Sequence, residues 1–323
     1  MTTHTPLRCA YSGMVAQSGK IVLLNSGNYP SFSSYGNETW VWNGTNGNED
    51  WTNLSSAFVN SNGPLGPNNP VGSVMSARIN QAMAADSNGN VMVFGGQGSS
   101  STAGAFNDTW TFNGSTWTLQ TPALAPYARY GAKAAYLAGT GSVMFGGQNA
   151  GWILEETWVW NGTTWAQVAV ANGAGPAARL GHAMAASASA VVMFGGSGTS
   201  NNLFNDTWSF NGTTWTQLGV SGPSVRSGAC MAYDSHNSLF VLFGGQNDST
   251  WLDETWTFNG TTWSQVAVPN VAGAGPAARI GAQMAFDTAN NLTIMYGGIS
   301  AASMYPSNDT WAFNGSTLTW TKM

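Results

Sequence analysis

Short apolar runs punctuate this chain at near-regular intervals, and each ends in glycine. Val91-Met-Val-Phe leads into Gly95-Gly96 and Val191-Val-Met-Phe into Gly195-Gly196, and paired glycines recur at Gly146-Gly147, Gly244-Gly245 and Gly297-Gly298, with Ser26-Gly27 in their place in the first unit. Runs of this length, bounded by residues that accept unusual backbone dihedrals, are the signature of buried strands. Before each run lies an alternating stretch such as Gly181 to Met184, and after it come an acid, Thr and Trp, then Asn-Gly, then a second Trp. One unit therefore predicts four short strands. The last two are joined through Asn-Gly, which tolerates positive φ at both central positions of a tight hairpin.

The unit occurs six times. The acid-Thr-Trp motif ends at Trp40, Trp110, Trp158, Trp208, Trp256 and Trp311, at intervals of 70, 48, 50, 48 and 55 residues. Four of those five intervals fall near the period of about 50 at which radial β-repeats occur. The hairpin turns stand at Asn43-Gly44, Asn113-Gly114, Asn161-Gly162, Asn211-Gly212, Asn259-Gly260 and Asn314-Gly315.

An Arg before the first strand, a Gly-Gly ending the second, an acid and an aromatic in the third and a Trp in the fourth resemble the kelch repeat. The resemblance covers nearly the whole chain, and it implies an all-β, six-bladed kelch-type β-propeller with four antiparallel strands per blade. The blades are expected at 6–56, 76–121, 127–170, 177–220, 224–268 and 277–323, one domain of 323 residues with about 54 per blade. Blade 1 is irregular, and the Asn-, Gly- and Pro-rich segment 61–76 reads as a long loop. Each blade is contiguous in sequence, so ring closure is expected to rest on side-chain packing between blades 1 and 6.

Composition narrows the partners. Charged residues make up 7% of the chain and the net charge is −5, which lacks the basic footprint of a nucleic-acid or anionic-membrane binder. Apolar runs stop far short of the roughly 20 residues that span a bilayer. Met-Thr-Thr-His-Thr-Pro-Leu-Arg does not open a signal peptide, so either the protein is cytoplasmic or its leader is not part of this chain; the Asn, Gly, Ser, Thr and Trp content favours a secreted or surface-displayed domain. Cys9 and Cys230 fall in blades 1 and 5, which are not neighbours, and are expected as two separate thiols.

Of 16 Trp, twelve belong to the third- and fourth-strand positions and are expected in the core. Trp42 and Trp160 take a place held elsewhere by Phe, which leaves Trp152 and Trp251. Both lie in the loop after Gly-Gly, where other blades carry Phe106, Phe204, Tyr305 and the trio Tyr29, Phe32 and Tyr35. A loop aromatic in every blade has two readings: a cap on its own blade, or part of an exposed ligand platform.

The six arginines, Arg8, Arg78, Arg129, Arg179, Arg226 and Arg279, stand one per blade at the start of a first strand. By the kelch resemblance they ring one mouth of the central channel, where guanidinium groups bind carboxylate, phosphate or sulfate. Each blade also carries one acid before its Thr-Trp, namely Glu38, Asp108, Glu156, Asp206, Glu254 and Asp309. Six internal ion pairs are thus the competing reading. Along the first strands Gln81, Lys133, His182, Cys230 and Gln283, with Tyr11 and Ser12, interrupt a background of Ala and Gly, as in a lined cavity.

No catalytic motif accompanies these residues. The copper-ligand set of galactose oxidases, zinc clusters, Walker loops and the Gly-x-Ser-x-Gly elbow are all absent from the sequence. A mutarotase-like kelch enzyme remains compatible with an Arg ring and a channel base such as His182. The preferred expectation is a monomeric, cofactor-free binding propeller, with carbohydrate or a protein or peptide partner held at the mouth by the Arg residues and loop aromatics.

Overall fold

The computed structural model describes residues 6–17, 19–25, 38–42, 44, 51–54, 75–86, 88–98, 104–170, 174–267 and 274–323. The trio Tyr29, Phe32 and Tyr35, the Ser26-Gly27 pair and most of the 61–76 loop lie outside them. The described residues form six four-stranded antiparallel sheets, each made of strands consecutive in sequence apart from short side ladders. The innermost and outermost strands are Gly13–Gln17 and Trp51–Asn53 in blade 1, Ala82–Ala85 and Trp117–Gln120 in blade 2, and Lys133–Leu137 and Trp165–Gln167 in blade 3. Blades 4 to 6 run from Ala183–Ala186 to Trp215–Leu218, from Cys230–Asp234 to Trp263–Gln265 and from Gln283–Asp287 to Thr319–Lys322. The only helical element among the described residues is one 3-10 turn, Thr199–Asn201, and no helix is long and apolar enough to cross a membrane.

The core lies between blades rather than within them, because each sheet buries both faces against its neighbours. One cluster joins Ile21, Leu23, Trp40, Trp42 and Trp51 of blade 1 to Ala285, Ile294 and Tyr296 of blade 6. Among the described residues no strand is exchanged between blades 1 and 6, and the ring is closed by this packing together with hydrogen bonds across the seam.

Three sets of hydrogen bonds tie the blades in register. First, the fourth-strand Trp of each blade donates Nε1 to the motif Thr of the blade before it, as in Trp215 to Thr157 at 2.9 Å and, across the closure, Trp51 to Thr310 at 3.2 Å. Second, the second glycine of each pair donates its N–H to the backbone carbonyl of the next blade's first-strand entry, as Gly196 does to Arg226 at 2.9 Å. That approach explains the glycines: a Cβ on Gly195, at φ +67°, would lie 2.7 Å from the Arg226 carbonyl oxygen.

Third, six residues at the mouth of the channel form a cyclic belt. Asn80 donates its backbone N–H to Tyr11, Gly131 to Asn80, Gly181 to Gly131, Gly228 to Gly181, Gly281 to Gly228 and Tyr11 to Gly281, all at 2.8–3.1 Å. Every member has a left-handed backbone, from φ 56° at Asn80 to 72° at Gly131. Four are therefore glycine, and Tyr11 and Asn80 accept the strain.

The third-to-fourth-strand hairpins sit where Asn-Gly predicts them but are not two-residue turns. Phe210 pairs with Trp215, so the loop holds four residues. Gly212 alone takes positive φ, while the Asn211 side-chain Oδ1 accepts the N–H groups of Thr213 and Thr214 at 3.0 and 2.9 Å. The asparagine thus works through its side chain, in the manner of an Asx turn.

Candidate functional site

Two surfaces remain once this scaffold is assembled: the channel along the axis, and the face carrying the loops that follow Gly-Gly together with the blade-to-blade connections. The arginines lie beneath that face. Arg179 is typical: Nε donates to the Ala177 carbonyl, one terminal nitrogen to the Gly195 carbonyl, and the two terminal nitrogens grip Asp206 at 2.6 and 2.8 Å. Asp206 also accepts the Trp208 indole N–H at 2.7 Å. Arg78 and Arg279 repeat the two-point grip on Asp108 and Asp309, whereas Arg129 and Arg226 each reach one oxygen of Glu156 and Glu254 through a single terminal nitrogen. These five side chains are at most 2% exposed. Burial pushes Asp309 up, yet the Arg279 guanidinium, with Ser307 and Trp311, outweighs it and holds the carboxyl at about 2. Five of the six expected ring members are thus committed to ion pairs within their own blades.

Arg8 is a different case, and here the repeat alignment is off by one residue. Cys9, not Arg8, occupies the arginine position of blade 1: its carbonyl accepts the Gly298 N–H at 2.8 Å and its N–H donates to Ser307. The thiol is buried, and burial pushes it up to about 12. Arg8 itself is exposed, with no carboxylate within ion-pair distance among the described residues. Glu38, the acid of that blade, accepts the Trp40 indole N–H instead.

The loop aromatics divide between both expected roles. Phe106 and Phe204 lie against the guanidinium groups of Arg78 and Arg179, at 4.5 and 4.1 Å from carbon to ring centroid, and so cap their own blades. Trp251 is half-buried and joins Gln246 in a β-bridge. Trp152, by contrast, is 78% exposed and Tyr305 is 50% exposed. Leu7, Leu124, Tyr127 and Met304 are also large, apolar and exposed, and all four lie in connections on the same face. Of the described chain's exposed large hydrophobics, only Leu318, in the hairpin between third and fourth strands, lies at the opposite end. Sequence reasoning did not single out Tyr127, although a signal existed: the residue two before the arginine is Ser76, Ala177, Ser224 or Ala277 in other blades.

The channel has a volume of about 300 Å³. Gln81, Lys133, Cys230 and Gln283 line it near the belt, and Met14, Met83, Met184, Met231 and Met284 form a collar one residue further in. His182 does not reach it. That ring is fully buried edge-on to Phe145, with centroids 5.7 Å apart and neither nitrogen hydrogen-bonded within the protein. Burial, then the charges of Arg179 and Lys133, push its pKa well below the usual histidine value, so it is neutral. The described residues contain no group of three His, Cys, Asp or Glu that could hold a metal.

A six-bladed ring of four-stranded sheets with this clasp defines a kelch-type propeller. The family model of the KLHDC2/KLHL20/DRC7 Kelch-repeats domain matches the chain over residues 30–224 and 161–323, and the chain belongs to that family. Kelch propellers generally mediate protein–protein interaction. A search of curated proteins found no match.

Proposed function

We propose that this protein is a monomeric binding module that holds a protein or peptide partner on the face bearing Trp152, Tyr127 and Tyr305. The observation that carries this reading is the segregation of exposed apolar side chains: six of the seven in the described residues project from one end of the ring. Tyr and Trp are the residues that interfaces concentrate, because they bury large area at low entropic cost. The group at blade 3 (Leu124, Tyr127, Trp152) and the group at blades 6 and 1 (Met304, Tyr305, Leu7) stand on opposite sides of the channel, which suits an occupant crossing the mouth. Five arginines buried beneath the surface supply rigidity to this face rather than direct contacts.

A carbohydrate ligand is the second reading, favoured by Trp152 alone, since a flat exposed indole suits a pyranose face. The mutarotase-like alternative needs an unpaired arginine beside an acid in the channel, whereas five arginines are paired within their blades and the channel's cation is Lys133.

Selection of a displayed random-peptide library on the wild-type propeller, with a glycan array in parallel, tests the proposal. Selected peptides are expected to lose at least tenfold in affinity to Tyr127→Ala/Trp152→Ala or Tyr305→Ala and nothing to Leu318→Ser on the other end. Equal binding to all variants defeats the placement of the site. A glycan bound through Trp152, with no peptide selected, moves the conclusion to carbohydrate.

A further inference from the structure

Lys133 is one of only three lysines in the chain, and among the described residues it is the one charged residue that lines the channel. Among the described residues no carboxylate lies within ion-pair distance of it. The acids of the first strands, Asp86, Asp234 and Asp287, stand at the far ends of those strands and close their own turns: Asp86 accepts the N–H groups of Asn88 and Asn90, Asp234 those of His236 and Asn237, and Asp287 that of Ala289. At about 3.3 Å per residue that is on the order of 13 Å from the level of Lys133. Burial lowers the lysine pKa, with Cys230 opposing it weakly. Lys133 itself is half-buried and lines the channel, where its ammonium is met by water or by an anion that enters the cavity.

A second observation at the same end of the channel points to an occupant. Gln81 is 3% exposed, lines the channel, and has neither its amide nitrogen nor its amide oxygen hydrogen-bonded within the protein. Gln283 uses one amide N–H on the Gly281 carbonyl at 3.2 Å, and an amide carries two. Unanswered buried polar groups are rare enough in folded proteins to call for an occupant.

The neighbouring surface is apolar. Five methionines form the collar one residue beyond, followed by Ala84, Ala135, Ala185, Ala232 and Ala285. The volume of about 300 Å³ lies at the small end of ligand cavities. At the belt the six backbones are spaced as in a hydrogen-bonded sheet. A hexagon with sides of about 4.8 Å leaves a clear radius of roughly 3 Å, which admits a carboxylate and alkyl chain but not a pyranose ring.

We propose that the channel binds a short aliphatic monocarboxylate, paired through its carboxylate with Lys133 Nζ and the side-chain amides of Gln81 and Gln283, with its alkyl chain against the methionine collar. The site lies inside the channel, beneath the face that the proposed partner crosses, and its test uses the propeller without a partner. Methionine suits the tail because its flexible thioether adapts to chains of different length. Lysine, as a point charge, suits a single carboxylate.

The test uses sodium salts from formate to hexanoate at constant ionic strength, with chloride and butyramide as controls for charge and tail. The melting temperature of the wild type is expected to rise with carboxylate concentration and with chain length up to the volume limit, and to ignore both controls. Lys133→Met, which replaces the charge with a residue of the collar, is expected to fold and to bind at least tenfold more weakly; Gln81→Leu is expected to weaken binding severalfold.

Reductive methylation read by mass spectrometry decides the matter in the unmodified protein. Saturating butyrate should slow labelling of Lys133 several-fold and leave Lys20 and Lys322 unchanged. Equal thermal shifts in wild type and Lys133→Met, or Lys133 labelling indifferent to every carboxylate, overturns the proposal even if a variant fails to fold.

Discussion

Blade 4 and blade 1 make the same contacts to the ring with different chemistry. In blade 4 the entry to the first strand is Arg179, whose guanidinium bonds two backbone carbonyls and both oxygens of Asp206. In blade 1 the same backbone position is Cys9, a small buried thiol, and the local chain is held by the Tyr296 hydroxyl of blade 6, which donates to the Pro6 and Leu7 carbonyls. Both carbonyls at this position accept a glycine N–H from the preceding blade, at 2.9 Å for Arg179 and 2.8 Å for Cys9. At this position the tie between blades is thus a backbone property. The arginine–acid pair instead fastens each blade's own second and third strands to its entry, and a blade can replace it.

The contrast can be broken most strongly at Arg179. Arg179→Met strands the partly buried Asp206 and frees two carbonyls, and urea denaturation should show a loss of roughly 3–5 kcal/mol. A belt mutation comes next. Gly281→Ala places a Cβ 2.8 Å from the Tyr11 ring at φ +68°, and should cost about 2–4 kcal/mol in the same assay.

Acid titration sharpens the comparison. Asp309 is held at about 2 against 3.8 unperturbed, so the unfolded chain binds the proton more readily. Its contribution is complete above pH 4 and disappears as pH falls toward 2, about 2 kcal/mol for that shift. Asp309→Asn should flatten the stability–pH profile across that window. Trp215→Phe, which removes the bond to Thr157 at 2.9 Å and part of a buried indole, should cost about 1–2 kcal/mol. Arg8→Ala, the blade 1 counterpart, should change stability by less than about 0.5 kcal/mol.

The pairing of Arg78, Arg129, Arg179, Arg226 and Arg279 with their acids was readable as one of two alternatives, because charges repeated in register suggest a scaffold. Choosing between the alternatives needed burial. Arg8 misled because a one-residue offset in a single repeat leaves composition and spacing almost unchanged. Asn211-Gly212 located a hairpin without disclosing its loop, since the same dipeptide serves both a two-residue turn and an Asx-capped loop of four. Lys133 was legible as a channel cation, but that no carboxylate of the described residues pairs with it depends on side chains from all six blades.

The exposed face divides the same way. Trp152 and Tyr305 were visible as loop aromatics, yet so were Phe106 and Phe204, which lie on arginines. Nothing in the local sequence separates them.

What the sequence by itself determined is the periodic part of this protein: six units, four strands in each, the glycine pairs and the tryptophan positions. Strand periodicity and glycine's conformational freedom act over a few residues and leave their mark in every copy. Only the tertiary structure decided the belt, the place of Cys9, the setting of Lys133 and the single apolar face. Each depends on residues about 50 or more positions apart meeting across the ring, and such meetings are fixed by closure rather than by neighbours in the chain.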